Sequence, residues 1–184
     1  MRKLMAGLAL AILAMGVAPS AILGTGAALA QTESSGSIYE GLKQAALTEP
    51  LIKQYIAAQK DMEAVFAEAP ADAADKPDPK TLARLEAVAK KNHFASYEEF
   101  NAVAGNIALV LDGVDPKTKK YVGAEVVLKQ TIAETQADAK MTAADKKEAL
   151  DELNNELKEV TPLKFPANTD LVLKYYDALA GVAQ

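Results

Sequence analysis

Apolar positions recur three and four residues apart along most of this chain, and no segment alternates convincingly with a period of two. The first long helix opens at Thr48, with Glu49 and Pro50 behind it, a cap and first turn suited to a positive helix end. Leu51, Tyr55, Met62 and Phe66 share one face, with Ile52, Ile56 and Val65 beside it, and the helix ends near Glu68. "APADAADKPDP" then reads as a loop. A second helix opens at Asp78-Pro79, carries Leu82, Leu85, Val88 and Ala89, and closes on Lys90 and Lys91 at its negative pole.

"SYEE", residues 96–99, is a capping-box sequence. The stripe behind it, Phe100, Val103, Ala104, Ile107, Val110 and Leu111, is the cleanest helical pattern in the chain, and Gly113 follows as a stop. Asp115-Pro116 predicts a short turn of helix. A fourth main helix spans about 124–138 on Val127, Leu128 and Ile132. A fifth opens at Thr142 and carries Leu150, Leu153, Leu157 and Val160, either inside the bundle or along a partner. "TPLKFPAN" breaks it, and the last helix follows Asn168 with Leu171, Val172, Tyr175, Tyr176 and Leu179. Upstream, "SIYEGLKQAAL" predicts a short helix weakened by Gly41. The fold class is all-α, a bundle of about five main helices with short connections and no sheet.

The N-terminus changes the picture of what folds. Arg2 and Lys3 precede a charge-free run from Leu4 to Thr32 that ends in Ala28-Leu29-Ala30. Small residues at the first and third positions before a cut suit a signal peptidase, so residues 1–30 read as a signal peptide cleaved after Ala30. The run is long enough to span a bilayer, which takes about 20 apolar residues. Pro19-Ser20 and Gly24-Thr25-Gly26 interrupt it as a permanent anchor. Residues 31–37 are then a flexible leader and 38–184 a single helical domain in the periplasm, without a membrane span. Without Arg2 and Lys3, 18 basic residues face 25 acidic ones, a net charge of −7. No basic stripe is present, which argues against nucleic acid. The chain has no cysteine, so its core or a partner must hold it together. That core is rich in alanine, and its anchors should be Tyr55, Phe66, Phe94, Phe100, Tyr175 and Tyr176.

Candidate chemistry centres on His93, the single histidine. Zinc needs three or four ligands, and a Ser-His-acid arrangement needs an exposed nucleophile, for which no G-x-S-x-G is present. A cap or packing role at the end of the second helix explains it with less. Glu98, Glu99, Asp112 and Asp115 flank the third helix and read as caps and solvated surface. Counted as a calcium loop from Asp112, positions 3, 5 and 12 are Val114, Pro116 and Gly123, and the match fails. No phosphate loop is present, and the residues call for no metal or cofactor. Tyr175 and Tyr176 suit either a planar ligand such as a haem or quinone, or the docking of the last helix.

The order "LTEPLIKQYIAAQKDMEAV", "LARLEAVAKKNHFASYEEFNAVAGNIALVL", "FPANTDLVLKYYDAL" resembles an uncharacterised family of short, exported, all-helical proteins of Gram-negative bacteria. That likeness implies a periplasmic helical fold and brings no active site. A weaker likeness is to Spy-type periplasmic helical chaperones, with two L-T-x-x-Q helix starts. Here Leu47-Thr48 and Met141-Thr142 begin such starts, and both lack the Gln. The leading expectation is a non-enzymatic binding protein for another periplasmic or envelope protein. Its partner or ligand surface would draw on His93, Phe94, Tyr97, Tyr175 and Tyr176. The alternatives are a hydrolase or lyase using carboxylates and His93, and a carrier of a small ligand or cofactor.

Overall fold

A computed structural model describes Tyr39, residues 41–69 and residues 77–181. The expected signal peptide and most of the leader lie outside these residues. The architecture is all-α, with α1 (Glu49–Ala67), α2 (Pro79–Lys91), α3 (Tyr97–Leu111), α4 (Ala124–Ala137), α5 (Ala143–Lys158), α6 (Ala167–Lys174) and α7 (Tyr176–Gly181). Between α3 and α4 lies a small hairpin, β1 (Val114–Asp115) and β2 (Lys120–Tyr121).

The long helices begin where side chains satisfy their first amide groups. Thr48 Oγ1 accepts from Leu51 N, Asp78 Oδ1 from Lys80 N and Thr81 N, and Ser96 Oγ from Glu99 N. Glu99 reaches back to Ala95 N, one residue before the cap, at 2.6 Å. The free N–H of Tyr97 is taken by Glu86 of α2. One helix therefore caps the next, which fixes the α2–α3 corner.

The central helix is α3, in which nine of 15 residues are buried. It packs against α1, α2 and α6. Phe100 gathers three more rings: Tyr55 stacks on it at 5.1 Å, Phe94 meets it edge-on at 5.5 Å, and Tyr97 lies over it at 6.2 Å. Four expected anchors, Tyr55, Phe94, Phe100 and Tyr176, are buried, while Phe66 and Tyr175 pack against the core from its rim.

The structure corrects the sequence pattern in five places. On α2 the inward face is Thr81, Leu85 and Ala89, and Leu82 is 44% exposed. Thr81 can be buried because its hydroxyl donates to Asp78 Oδ2 at 2.7 Å. The short helix expected over residues 37–47 is not found in its described part: residues 42–48 form an irregular strap whose main-chain groups are held by other parts of the chain. Residues 114–121 form the hairpin and not a turn of helix, with Val114 opposite Tyr121 and Asp115 opposite Lys120. Asp115 Oδ1 accepts from Lys117 N at 2.8 Å, and Lys119 takes a left-handed φ of 54°, which closes a tight loop that helical bonding would have to displace. Gly113 is needed for space and not for a left-handed stop, since a Cβ there would run into the Tyr121 ring, 2.9 Å from its Cζ. The last helix breaks at Tyr175, which lets Tyr175 reach Glu49 while Tyr176 and Leu179 enter the core.

The fourth and fifth helices behave differently from the rest. No residue of α4 or α5 is buried. They pack mainly on each other, and α4 touches the body through β1. The pair forms an arm whose Leu150, Leu153 and Leu157 are half-buried against α4. Val122 and Val126 at its base are 38% and 43% exposed.

Candidate functional site

His93 sits at the corner between α2 and α3, exposed, with a φ of 67°. Its N–H bonds Lys90 O at 3.1 Å and the N–H of Phe94 reaches Ala89 O at 3.0 Å. This is the paired closure of a helix by one left-handed residue, a place usually taken by Gly or Asn. Histidine tolerates that region better than most side chains. Among the described residues no ion pair joins His93 to a carboxylate. The residue's visible work is to turn the chain so that Phe94 drops into the core.

The other members of the expected surface are spread over two regions. Phe94 is 2% exposed and belongs to the ring cluster. Tyr97 is half-buried on the same cluster, where burial raises its phenol above the ordinary range. Tyr175 and Tyr176 lie at the other region, beside the start of α1 and the hairpin tip. Tyr175 Oη donates to Glu49 Oε1 at 2.6 Å, and Lys174 lies over its ring. Lys53, Tyr175 and Lys174 together hold the Glu49 carboxyl down at about 2. Tyr176 is buried, with Lys119 above its ring and Lys119 Nζ paired to Asp177. Both tyrosines dock the C-terminal helices, Tyr176 from within the core and Tyr175 from its rim.

Of the flanking acids, Glu98 and Glu99 are exposed and Asp115 caps its loop. Asp112 is different. It closes α3, accepts a hydrogen bond from Tyr39 Oη, and feels Glu156 of α5. Burial, then the Glu156 charge, push its carboxyl up to about 6, against the lowering effect of the Tyr39 bond. Tyr39 is raised in turn by burial and by Asp112. Burial and neighbouring Glu152 also raise Glu156. The acid read from sequence as a cap or surface group is therefore a carboxyl raised by burial well above its ordinary range.

Two buried amides lie outside the expected site: Asn106, which the sequence reading passes over, and Asn168, which it takes only for the start of the last helix. Asn106 and Asn168 are 3% and 2% exposed. Asn106 Oδ1 accepts from Ala45 N and its Nδ2 donates to Lys43 O and Ala102 O. Asn168 Oδ1 accepts from Leu47 N and its Nδ2 donates to Ala45 O. The signal was present in each stripe. Asn106 lies three residues past Val103, and Asn168 four residues before Val172, so both are polar residues at core-facing positions.

Among the described residues, two hollows lie beside charged side chains. One, of about 300 Å³, is an open trough between α1 and α2, flanked by the Lys91–Asp61 and Arg84–Glu68 ion pairs at 2.7 and 2.6 Å. The other, of about 70 Å³, lies beside Asp112 and the hairpin, under Gln130, Thr131 and Glu134 of α4. Neither borders His93. Among the described residues no group of three or more His, Cys, Asp or Glu side chains could hold a metal ion, and no helix is long and apolar enough to cross a membrane. Comparison with protein-family models, curated proteins and solved structures found no match for this chain.

Proposed function

We propose that this chain is an exported periplasmic protein that works without catalysis by binding another protein of the cell envelope, and that the α4–α5 arm is its binding element. The observation that carries the reading is the contrast between body and arm. The body places Ile52, Leu85, Ile107, Val110, Val172 and Leu179 almost wholly out of water. The arm, by contrast, leaves every one of its residues at least partly exposed. Helix pairs that bury so little gain little stability of their own, because buried apolar area is what stabilises them. Such a pair keeps apolar area in reserve for a partner. Residues 124–160 carry nine carboxylates against five lysines, a net of −4, which favours a partner with a basic rim around an apolar seam. The signal-peptide pattern of residues 1–30 and the likeness to short exported helical proteins support the export part of the reading.

The test is site-specific photo-crosslinking in intact cells. A photoreactive residue at Val126 on the arm is compared with one at Leu82, which is equally exposed on α2. The reading expects a discrete adduct from position 126 and none from 82. Equal labelling from both, or none from either, would count against it. N-terminal sequencing of the secreted chain checks the cut after Ala30.

A further inference from the structure

The strap, residues 42–47, is bound as a foreign peptide would be. Its main chain is read by the two buried asparagines: Ala45 N and Lys43 O by Asn106, Leu47 N and Ala45 O by Asn168, three of these bonds at 2.8 Å and the Lys43 O bond at 3.2 Å. Its side-chain amide at Gln44 answers in kind, donating to Pro162 O and accepting from Lys164 N. Leu47 is buried in the core, and Leu42 packs on Gly105, where a Cβ would stand 2.8 Å from Leu42 Cδ1. Main-chain hydrogen bonds with spaced apolar anchors are how grooves hold extended peptides. Every one of these contacts joins the strap to residues remote in sequence, and the strap precedes α1, with Tyr39 and Gly41 the described residues ahead of it.

We infer that this groove accepts the strap of a second copy of the same chain, so that two copies exchange residues 42–47 to form a reciprocal dimer. The second copy is the occupant because the groove's fit to this sequence is already displayed in full, and each contact is remade unchanged between chains. Exposed Thr48 is the connection that must open. The tethered strap competes at an effective concentration of roughly millimolar order, so exchange is expected at high protein concentration or on refolding.

The absence of cysteine makes the test direct. Leu42 Cγ, which marks where the sulfur of a cysteine at 42 would lie, stands 3.6 Å from where a Cβ at 105 would be, near enough for a disulfide between Leu42→Cys and Gly105→Cys after a small side-chain adjustment. The mature chain with Leu42→Cys and a mass-tagged chain with Gly105→Cys are unfolded together, refolded at high concentration and oxidised. Leu42→Cys mixed with Leu82→Cys gives the rate of chance encounters, and both substitutions in one chain show closure within a chain. Exchange predicts a 42–105 link between chains several-fold above the chance rate. It also predicts that the unsubstituted chain, refolded likewise, shows a dimer fraction growing with concentration in native mass spectra. A 42–105 yield at the chance rate, a dimer linked elsewhere, or an unsubstituted chain that stays monomeric at every concentration overturns the inference.

Discussion

Replacing Asp112 by Asn should change how stability depends on pH, in a direction the structure sets. The Asp112 carboxyl is pushed from 3.8 to about 6, first by burial and then by Glu156. A carboxyl raised in the folded chain binds its proton more tightly there than in the unfolded chain. Its favourable contribution is complete below about 4 and is lost as pH rises through about 6. The shift is worth about 3 kcal/mol as an upper figure, at about 1.4 kcal/mol per unit. Glu49, Asp78, Asp115 and Glu125 are shifted the other way, so their stabilisation is lost as pH falls. The unsubstituted profile therefore mixes opposing slopes, and the difference between the two chains isolates Asp112. Urea unfolding followed by circular dichroism at half-unit steps from pH 3.5 to 7.5 measures that difference. Asp112→Asn should gain on the parent steadily between pH 4 and 6, by about 3 kcal/mol at most, and run parallel to it above and below. Tyr39→Phe should move the parent's step to higher pH, because the tyrosine bond lowers the carboxyl. Glu156→Gln should move it lower. A flat difference curve across this range would refute the reasoning, since it would place Asp112 in water.

His93→Gly should leave fold and partner adducts unchanged and stabilise the chain by about 0.5 kcal/mol in urea melts, the left-handed penalty relieved being partly offset by the greater backbone freedom of Gly. Gly113→Ala should cost about 1–3 kcal/mol through collision with the Tyr121 ring, and adding Tyr121→Leu should recover part of that loss. Amide hydrogen exchange should be at least about tenfold faster across α4 and α5 than across the middle of α3, because the arm opens without disturbing buried side chains.

The legible parts of the fold were those governed by neighbours in sequence. Thr48, Asp78, Ser96 and Thr142 each cap a helix three residues or fewer ahead, so the starts of α1, α2, α3 and α5 could be read directly. The strap could not, because its conformation is decided by Asn106 and Asn168, 61 and 121 residues from the amides they bind. The hairpin was hidden for a related reason: two residues per strand are too few to show a period. His93 as a helix end was visible, whereas the burial of Asp112 was not, since the side chain that binds it is Tyr39, 73 residues away. The surface expected from His93, Phe94, Tyr97, Tyr175 and Tyr176 rested on rarity of residue type. Rare aromatics in an alanine-rich chain are the residues the core needs most, and Phe94 and Tyr176 are spent there.

Asp112 is also where the three parts of the molecule meet. It terminates α3 of the body, binds Tyr39 just ahead of the strap, and feels the charge of Glu156 on the arm. Strap and arm therefore act on one ionisable group with opposite sign: the Tyr39 bond favours the charged carboxylate, and the Glu156 charge disfavours it. Anything that withdraws Tyr39 raises the proton affinity of Asp112, and anything that draws the arm away lowers it. Linkage makes the relation reciprocal, so protonation of Asp112 weakens the hold on the strap and eases the approach of the arm. Tyr39 and Glu156 thus bear in opposite directions on a single carboxylate that the amino-acid pattern alone marks as nothing more than the end of a helix.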